Sequence, residues 1–390
     1  MAIINRVAAR AEEFAGWRQD LHAHPELGYE LSRTAGFVAA KLREFGCDDV
    51  VTGIGRSGVV GVIHGRKNGS GRVIGLRADM DALPLQELVD RAYKSRTDGR
   101  MHACGHDGHT TMLLGAAAQL AESRNFDGTI ILIFQPAEEG GAGAKAMIDD
   151  GLMDRFAIQE VYGMHNMPGI PVGQFALRHG PIMAAADRLL FRINGNGAHA
   201  AKPHLSIDPV MIGCQLHAAA QSVVSRNVDP LDNAVVSLTM FNAGTAFNII
   251  PQTAELRGTV RTLNASTRNL IFQRLEAMCD VLGRQHGAKI EFILEEGYPV
   301  TESHDANVDF AAAVARDVVG DANVDAATLP MMGGEDFSIM LLERPGAFFF
   351  IGNGDSAGLH HPCYDFDDKA LPVGISLWVR LAEMAMPAKA

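Results

Sequence analysis

The chain is short of cysteine, positive charge and long apolar runs, and each shortage removes a class of protein. Its five cysteines (Cys47, Cys104, Cys214, Cys279 and Cys363) are odd in number and scattered over 390 residues. They do not make the disulfide framework of a small secreted domain, so a reducing cytoplasm is the expected setting. Lysine and arginine total 34 against 46 acidic residues, for a formal charge of -12. Binding to a polyanion needs clustered cations that release counterions, so nucleic acid is not an expected partner. The stretch MAIINRVAARAEEFAGWRQDLHAHPELG interrupts its apolar residues with Arg, Glu and Asp and lacks the apolar run of a signal peptide. No later run approaches a membrane-spanning length, so no membrane association is expected.

What is present reads as a globular protein. The composition of 47% hydrophobic and 21% charged residues at this length suits two domains or one large elaborated one. Apolar β-branched runs at 59–63, 73–77 and 129–134 predict strands, and the Ala/Leu-rich repeat over 110–123 predicts a helix. Such alternation predicts an α/β fold, a sheet with helices on its faces. Candidate polar residues follow the strand ends: Asp79 and Asp81 after VIGLR, Glu138 and Glu139 after TIILIFQ, His165 after EVYGM. α/β folds keep their ligands at such ends. Over 184–299 the order changes to strand, helix, strand, strand, helix, strand, the signature of a ferredoxin-like α+β unit. The later helix at 307–319, the apolar strand AFFFIG and a closing helix at 375–386 return to the first pattern. The expected organisation is therefore a catalytic domain of residues 1–183 and 300–390, with 184–299 inserted.

HACGHDGH, residues 102–109, packs three His, one Cys and one Asp ahead of the predicted helix. Cys104 and His106 have the softness to ligate one ion from a loop that Gly105 and Gly108 allow to turn. Packing alone explains such a Cys equally well. QPAEEGGAGA supplies two adjacent carboxylates after an apolar strand; an exposed acidic turn is the plain alternative. One Glu binding metal while its neighbour takes a proton would explain the doublet. GMHNMP adds His165 and GLHHPCYDFDD adds His360 and His361. Five such side chains exceed what one tetrahedral zinc needs, which points to two ions.

At this point the sequence resembles the metal-dependent aminoacylase and carboxypeptidase superfamily, in its hippurate hydrolase and indole-acetyl-amino-acid hydrolase branch. The resemblance rests on DLHAHPELGYE, RADMDALPLQE, MHACGHDGHT, QPAEEGGAGA, YGMHNMPGIPVG, GNGAHAAKPH, IDPV, FNIIPQTAELRGTVR, MMGGEDFS and LHHPCYDF, in the family's order along nearly the whole chain. It implies a zinc-exopeptidase-like catalytic domain, a mixed sheet with helices on both faces, with Cys104, His106, Glu139, His165 and His360 as metal ligands. It implies Glu138 as general base and Asp81 as the acid that orients the metal centre, with Asp79 close enough to compete. His199 matches a histidine that reaches a neighbouring subunit's site to steady the oxyanion, and Asn248 and Arg261 match positions that hold the substrate carboxylate. Asn196 and Ala198 depart from the family pattern next to His199. Glu335 and Asp336 belong to the pattern without an assigned role; a supporting or structural carboxylate is the expectation.

The implied reaction is hydrolysis of an N-acyl-amino acid to a carboxylic acid and a free amino acid. The implied cofactor is two divalent ions, zinc favoured by the thiolate, with manganese, cobalt and nickel open. A homodimer or a tetramer through the inserted domain is expected. Within the superfamily a metallo-dipeptidase, a carboxypeptidase or an N-acetyl-diaminopimelate deacetylase are the alternatives. Outside it stand a metal-free hydrolase using Cys104 with His106 or His109, and a binding protein that keeps the pocket without turnover.

Overall fold

The computed structural model describes residues 2–388. The chain divides into two compact units, one of Met1–Ile182, Glu302–Leu329 and Asp336–Ala390, the other of Met183–Thr301 and Pro330–Glu335.

The first unit is built on an eight-stranded mixed sheet. Its strand order is Asp49–Ile54, Gly58–His64, Thr129–Gln135, Val73–Asp79, Glu160–Met167, Gly346–Gly352, Phe175–Ala176, Val324–Asp325. The central strands carry continuous apolar runs and are buried, as strands covered on both faces must be. Neighbouring residues of Glu160–Met167 show that cover: Gly163 lies against Phe337 of the Phe337–Glu343 helix, while Met164 lies against Gly374 of the Ala370–Ala385 helix. The closing helix starts at Ala370 rather than 375, and Pro372 sits in its first turn, where a missing N–H costs nothing.

The second unit carries an antiparallel sheet in the order Ala234–Ala243, Thr253–Thr262, Ala185–Asn194, Lys289–Tyr298. With helices Pro209–Asn227 and Ala265–His286 it has the ferredoxin-like arrangement. Asp208 caps the first helix by accepting from the amides of Val210 (2.9 Å) and Met211 (3.3 Å), ahead of Pro209. Asn264 caps the second, and Gly287 ends it at φ 68°. Leu216 and Leu275 enter the core with Leu189, Phe191 and Leu256, whereas Met211 stays largely exposed. No helix among the described residues is long and apolar enough to cross a membrane.

Candidate metal centre

Val73–Asp79 runs parallel to both Thr129–Gln135 and Glu160–Met167. Parallel neighbours end on the same edge of the sheet, so the polar residues at their carboxyl ends collect there. Two local expectations need correction. His165 lies inside its strand, which continues to Met167 because Gly346–Gly352 pairs along it, Phe350 opposite His165. The helix begins at His106 rather than 110, so His106 belongs to its first turn. Gly105 makes the turn at φ 87°, while Gly108 is helical and serves close approach: a Cβ there would lie 2.2 Å from the Phe366 ring.

These elements bring the five expected ligands together. Cys104 Sγ lies 3.3 Å from His165 Nε2, and His360 Nε2 lies 3.1 Å from Glu139 Oε1. Buried His106 has Nε2 3.6 Å from Asp79 and 4.0 Å from Glu139, and Nδ1 3.6 Å from Asp81. Neither of its ring nitrogens has a hydrogen-bond partner. Ligand atoms of Cys104, His106 and His165 lie within 4.8 Å of one another, as do those of Cys104, Glu139 and His360, and those of His106, Glu138 and Glu139. The overlapping groups share Cys104, His106 and Glu139, which is room for more than one ion.

The electrostatics suit a cation. Burial opposes a charge on His106, yet Asp79, Asp81 and Glu139 raise it to about 10. Burial, with help from nearby His109, holds His165 well below the usual range, so it offers a neutral ligand nitrogen. Burial and then Glu139, Glu138 and Asp79 push the Cys104 thiol well above its ordinary value. That is the wrong direction for a metal-free nucleophile, which needs a depressed thiol pKa. A set of S, N and O donors, buried at Cys104, His106 and His165, partly buried at Glu139 and exposed at His360, with both His106 ring nitrogens orphaned, fits divalent metal.

Supporting contacts fix the donors. Asp81 accepts from the backbone N–H of Glu138 (2.9 Å) and of Glu139 (3.1 Å). The carboxylate thus holds the acidic pair in place between Ala137 (φ 52°) and Ala142 (φ 54°), left-handed positions that cost non-glycine residues roughly 1–2 kcal/mol each. Asp79 accepts from Arg77 at 2.8 Å and from His109 Nδ1 at 2.6 Å. His109 Nε2 accepts from the Asn166 amide at 2.9 Å, so both its nitrogens are engaged. Asp336 accepts from Arg77 (3.0 Å), Gln135 (2.7 Å) and the Ala144 amide (2.9 Å). It ties the strands beneath the site to the Gly143–Asp149 helix. No local signal in the sequence marks Asn166 or Asp336 for these contacts, or Arg77 for its bond to Asp336, because those partners are distant along the chain. Glu335 is buried, its carbonyl accepting from Thr301 Oγ1 at 3.4 Å.

The remaining expected residues belong to the second unit. His199 and Asn248 are exposed neighbours: Ile249 pairs with His199, and the Ala200 amide donates to Asn248 O at 3.0 Å. The Ala201 amide donates to His199 Nδ1 at 3.0 Å, which leaves Nε2 as the protonated nitrogen of the neutral ring. Arg261 is half-buried and donates to Thr259 Oγ1 and to Val260 O within its own strand.

Residues 75–384 match the model of peptidase family M20/M25/M40. The chain is 44% identical to the hippurate hydrolase of Campylobacter jejuni, over 98% of this chain and 99% of that one. It is 38% identical to an N-acetylcysteine deacetylase of Bacillus subtilis, over 95% and 96%. Among solved structures it is similar to the YXEP protein of Bacillus subtilis, a dinuclear metal binding peptidase, at 32% identity and a TM-score of 0.85, over 98% of this chain and 99% of that one. With this coverage, and with the donor cluster at the carboxyl edge of its parallel strands, the chain belongs to peptidase family M20/M25/M40.

Proposed function

We propose that this protein is a metal-dependent amidohydrolase that cleaves the amide bond of N-acyl-amino acids, releasing a carboxylic acid and a free amino acid. The observation that carries the reading is the meeting of Cys104, His106, Glu139, His165 and His360, from four separate segments, with Glu138 beside them. The activities named for the hippurate hydrolase and N-acetylcysteine deacetylase relatives share one substrate class, an acylated amino acid, and support it here.

Those five residues would hold two divalent ions, with zinc preferred because a thiolate and imidazoles dominate the donors. When bound, the ions supply Lewis acidity and lower the pKa of water at the site. Glu138 moves the proton: it receives one from the attacking water and returns it to the departing amine nitrogen. Asp81 keeps Glu138 and Glu139 in register through their amides. His199, brought by a neighbouring subunit in a homodimer built through the second unit, offers its Nε2–H to the tetrahedral oxyanion. Asn248 and Arg261 bind the amino-acid carboxylate, Arg261 after turning its guanidinium from its own strand.

The test is amine release from hippurate, N-acetyl-amino acids, indole-acetyl-amino acids, N-acetyl-diaminopimelate and dipeptides, by chelated protein and by protein reloaded with Zn, Mn, Co or Ni. The proposal expects turnover of acylated amino acids only after reloading. Cleavage of dipeptides alone would move the assignment to a peptidase, and turnover that survives chelation but is lost to a thiol reagent would overturn it.

A further inference from the structure

The helix Ala11–Ala23, which runs into the sequence motif DLHAHPE, has no part in the chemistry above, yet it carries a buried cation set among carboxylates. Arg18, on the Ala11–Ala23 helix, is fully buried. Its Nε and Nη2 donate to the two oxygens of Asp368 at 2.7 and 3.0 Å, and its Nη1 lies 3.6 Å from Asp107 and 4.0 Å from Asp365. His22, one turn later, places Nδ1 2.8 Å from Asp107 Oδ2. Asp107 follows His106 in the chain, whereas Asp365 and Asp368 lie in the irregular segment that contains His360. That segment has no strand or helix of its own between Gly352 and Ala370, and His360 itself sits at φ 60°, a conformation that needs external support. At His360 itself the ties are a backbone hydrogen bond from its N–H to Ala103 O at 2.8 Å and the Nε2 contact with Glu139 at 3.1 Å.

We infer that Arg18, assisted by His22, is a positioning residue for the metal centre: it locks the loop bearing His360 to the helix bearing His106, and so sets the affinity of the ion that His360 holds. The inference rests on the reading of His360 as a ligand. Burying a guanidinium among carboxylates is costly unless each donor is matched. Here the fork holds Asp368, while Nη1, at 3.6 Å, meets Asp107 by charge without a hydrogen bond, so one buried cation links two segments far apart in sequence.

The experiment is titration of the metal-free protein with Zn²⁺ by calorimetry and with Co²⁺ by visible absorption, for the parent, Arg18→Met, Arg18→Lys and His360→Ala. Arg18→Met is expected to weaken one of the two binding events roughly ten- to hundredfold and leave the other as it was, with loss of part of the cobalt spectrum. Arg18→Lys recovers part of that loss, because it keeps the charge without the fork. If Arg18→Met does not fold, Asp368→Asn, whose side chain is 27% exposed, carries the same expectation. Two ions bound at parental affinity by Arg18→Met or Asp368→Asn, while His360→Ala loses one, would overturn the inference alone. If His360→Ala also keeps both ions, the ligand assignment itself falls and the inference with it.

Discussion

The two units keep their candidate functional residues in opposite ways. In the first, Asp79, Asp81, Cys104, His106, Glu138 and His165 are buried, Glu139 is partly buried, and His360 alone of the expected ligands is exposed. Supporting contacts from Arg77, His109, Gln135 and Asn166 surround them. In the second, His199 and Asn248 are exposed, and fully exposed Phe247 stands next to Asn248. Buried polar groups are expensive, so their environment must already contain what satisfies them, or room for an ion that does. Exposed groups need no such environment and reveal their purpose only when something covers them. The first unit thus holds its candidate residues in a largely preorganised setting, and the second presents its own at a surface.

The largest expected break between the two is Glu138→Gln. It should reduce kcat about a thousandfold while metal content stays at the parental level, since only proton transfer is removed. Turnover near the parental rate would remove Glu138 as the base. His199→Ala should lower kcat about a hundredfold. Being exposed, it should leave metal content unchanged and stability within roughly 0.5 kcal/mol. Weakened metal binding in this variant would erase the distinction between site and surface.

Asp81→Asn sharpens the comparison from the other side. An amide side chain can accept at only one of its two atoms, so one amide of the Glu138 and Glu139 pair loses its acceptor. Activity should fall some tens of fold and metal affinity with it, accompanied by a stability loss of about 1–3 kcal/mol. Atomic absorption and thermal melts check both parts.

The effect smallest on turnover concerns pH and is read in stability instead. Burial alone would lower His22, but hydrogen bonds to Asp107 and Glu87 raise it to about 9. A folded value above the unfolded one means stability that is fully present below the unfolded pKa near 6.5 and lost as pH rises through about 9. The contribution is of the order of 3 kcal/mol. Denaturant unfolding of His22→Gln should show a flatter decline than the parent between those limits; an equal slope in both would refute it.

Much of this was legible in the sequence, for reasons that particular residues make clear. The β-branched runs at 73–77 and 129–134 became central strands because strands buried on both faces are nearly continuous apolar runs, with polar residues gathered at their carboxyl ends. The density of His and Cys over 102–109 marked the metal cluster because few other segments afford soft donors. What escaped was pairing across distance. Arg77 meets Asp336, and Arg18 meets Asp368, each through residues more than two hundred positions apart. A periodicity window cannot see such partners. The helix start at His106 was missed because its first turn is polar, filled by donors for the site in place of the apolar repeat. His165 read as lying beyond its strand because a polar residue interrupts the apolar run, whereas backbone pairing with Gly346–Gly352 continues regardless of side chain.

Anomalous scattering at the zinc edge, from crystals of zinc-reloaded protein, addresses the account most directly. Two peaks are expected, each within coordination distance of side chains drawn from Cys104, His106, Glu139, His165 and His360. Absence of density there under saturating zinc, with ions bound at other positions, would contradict it.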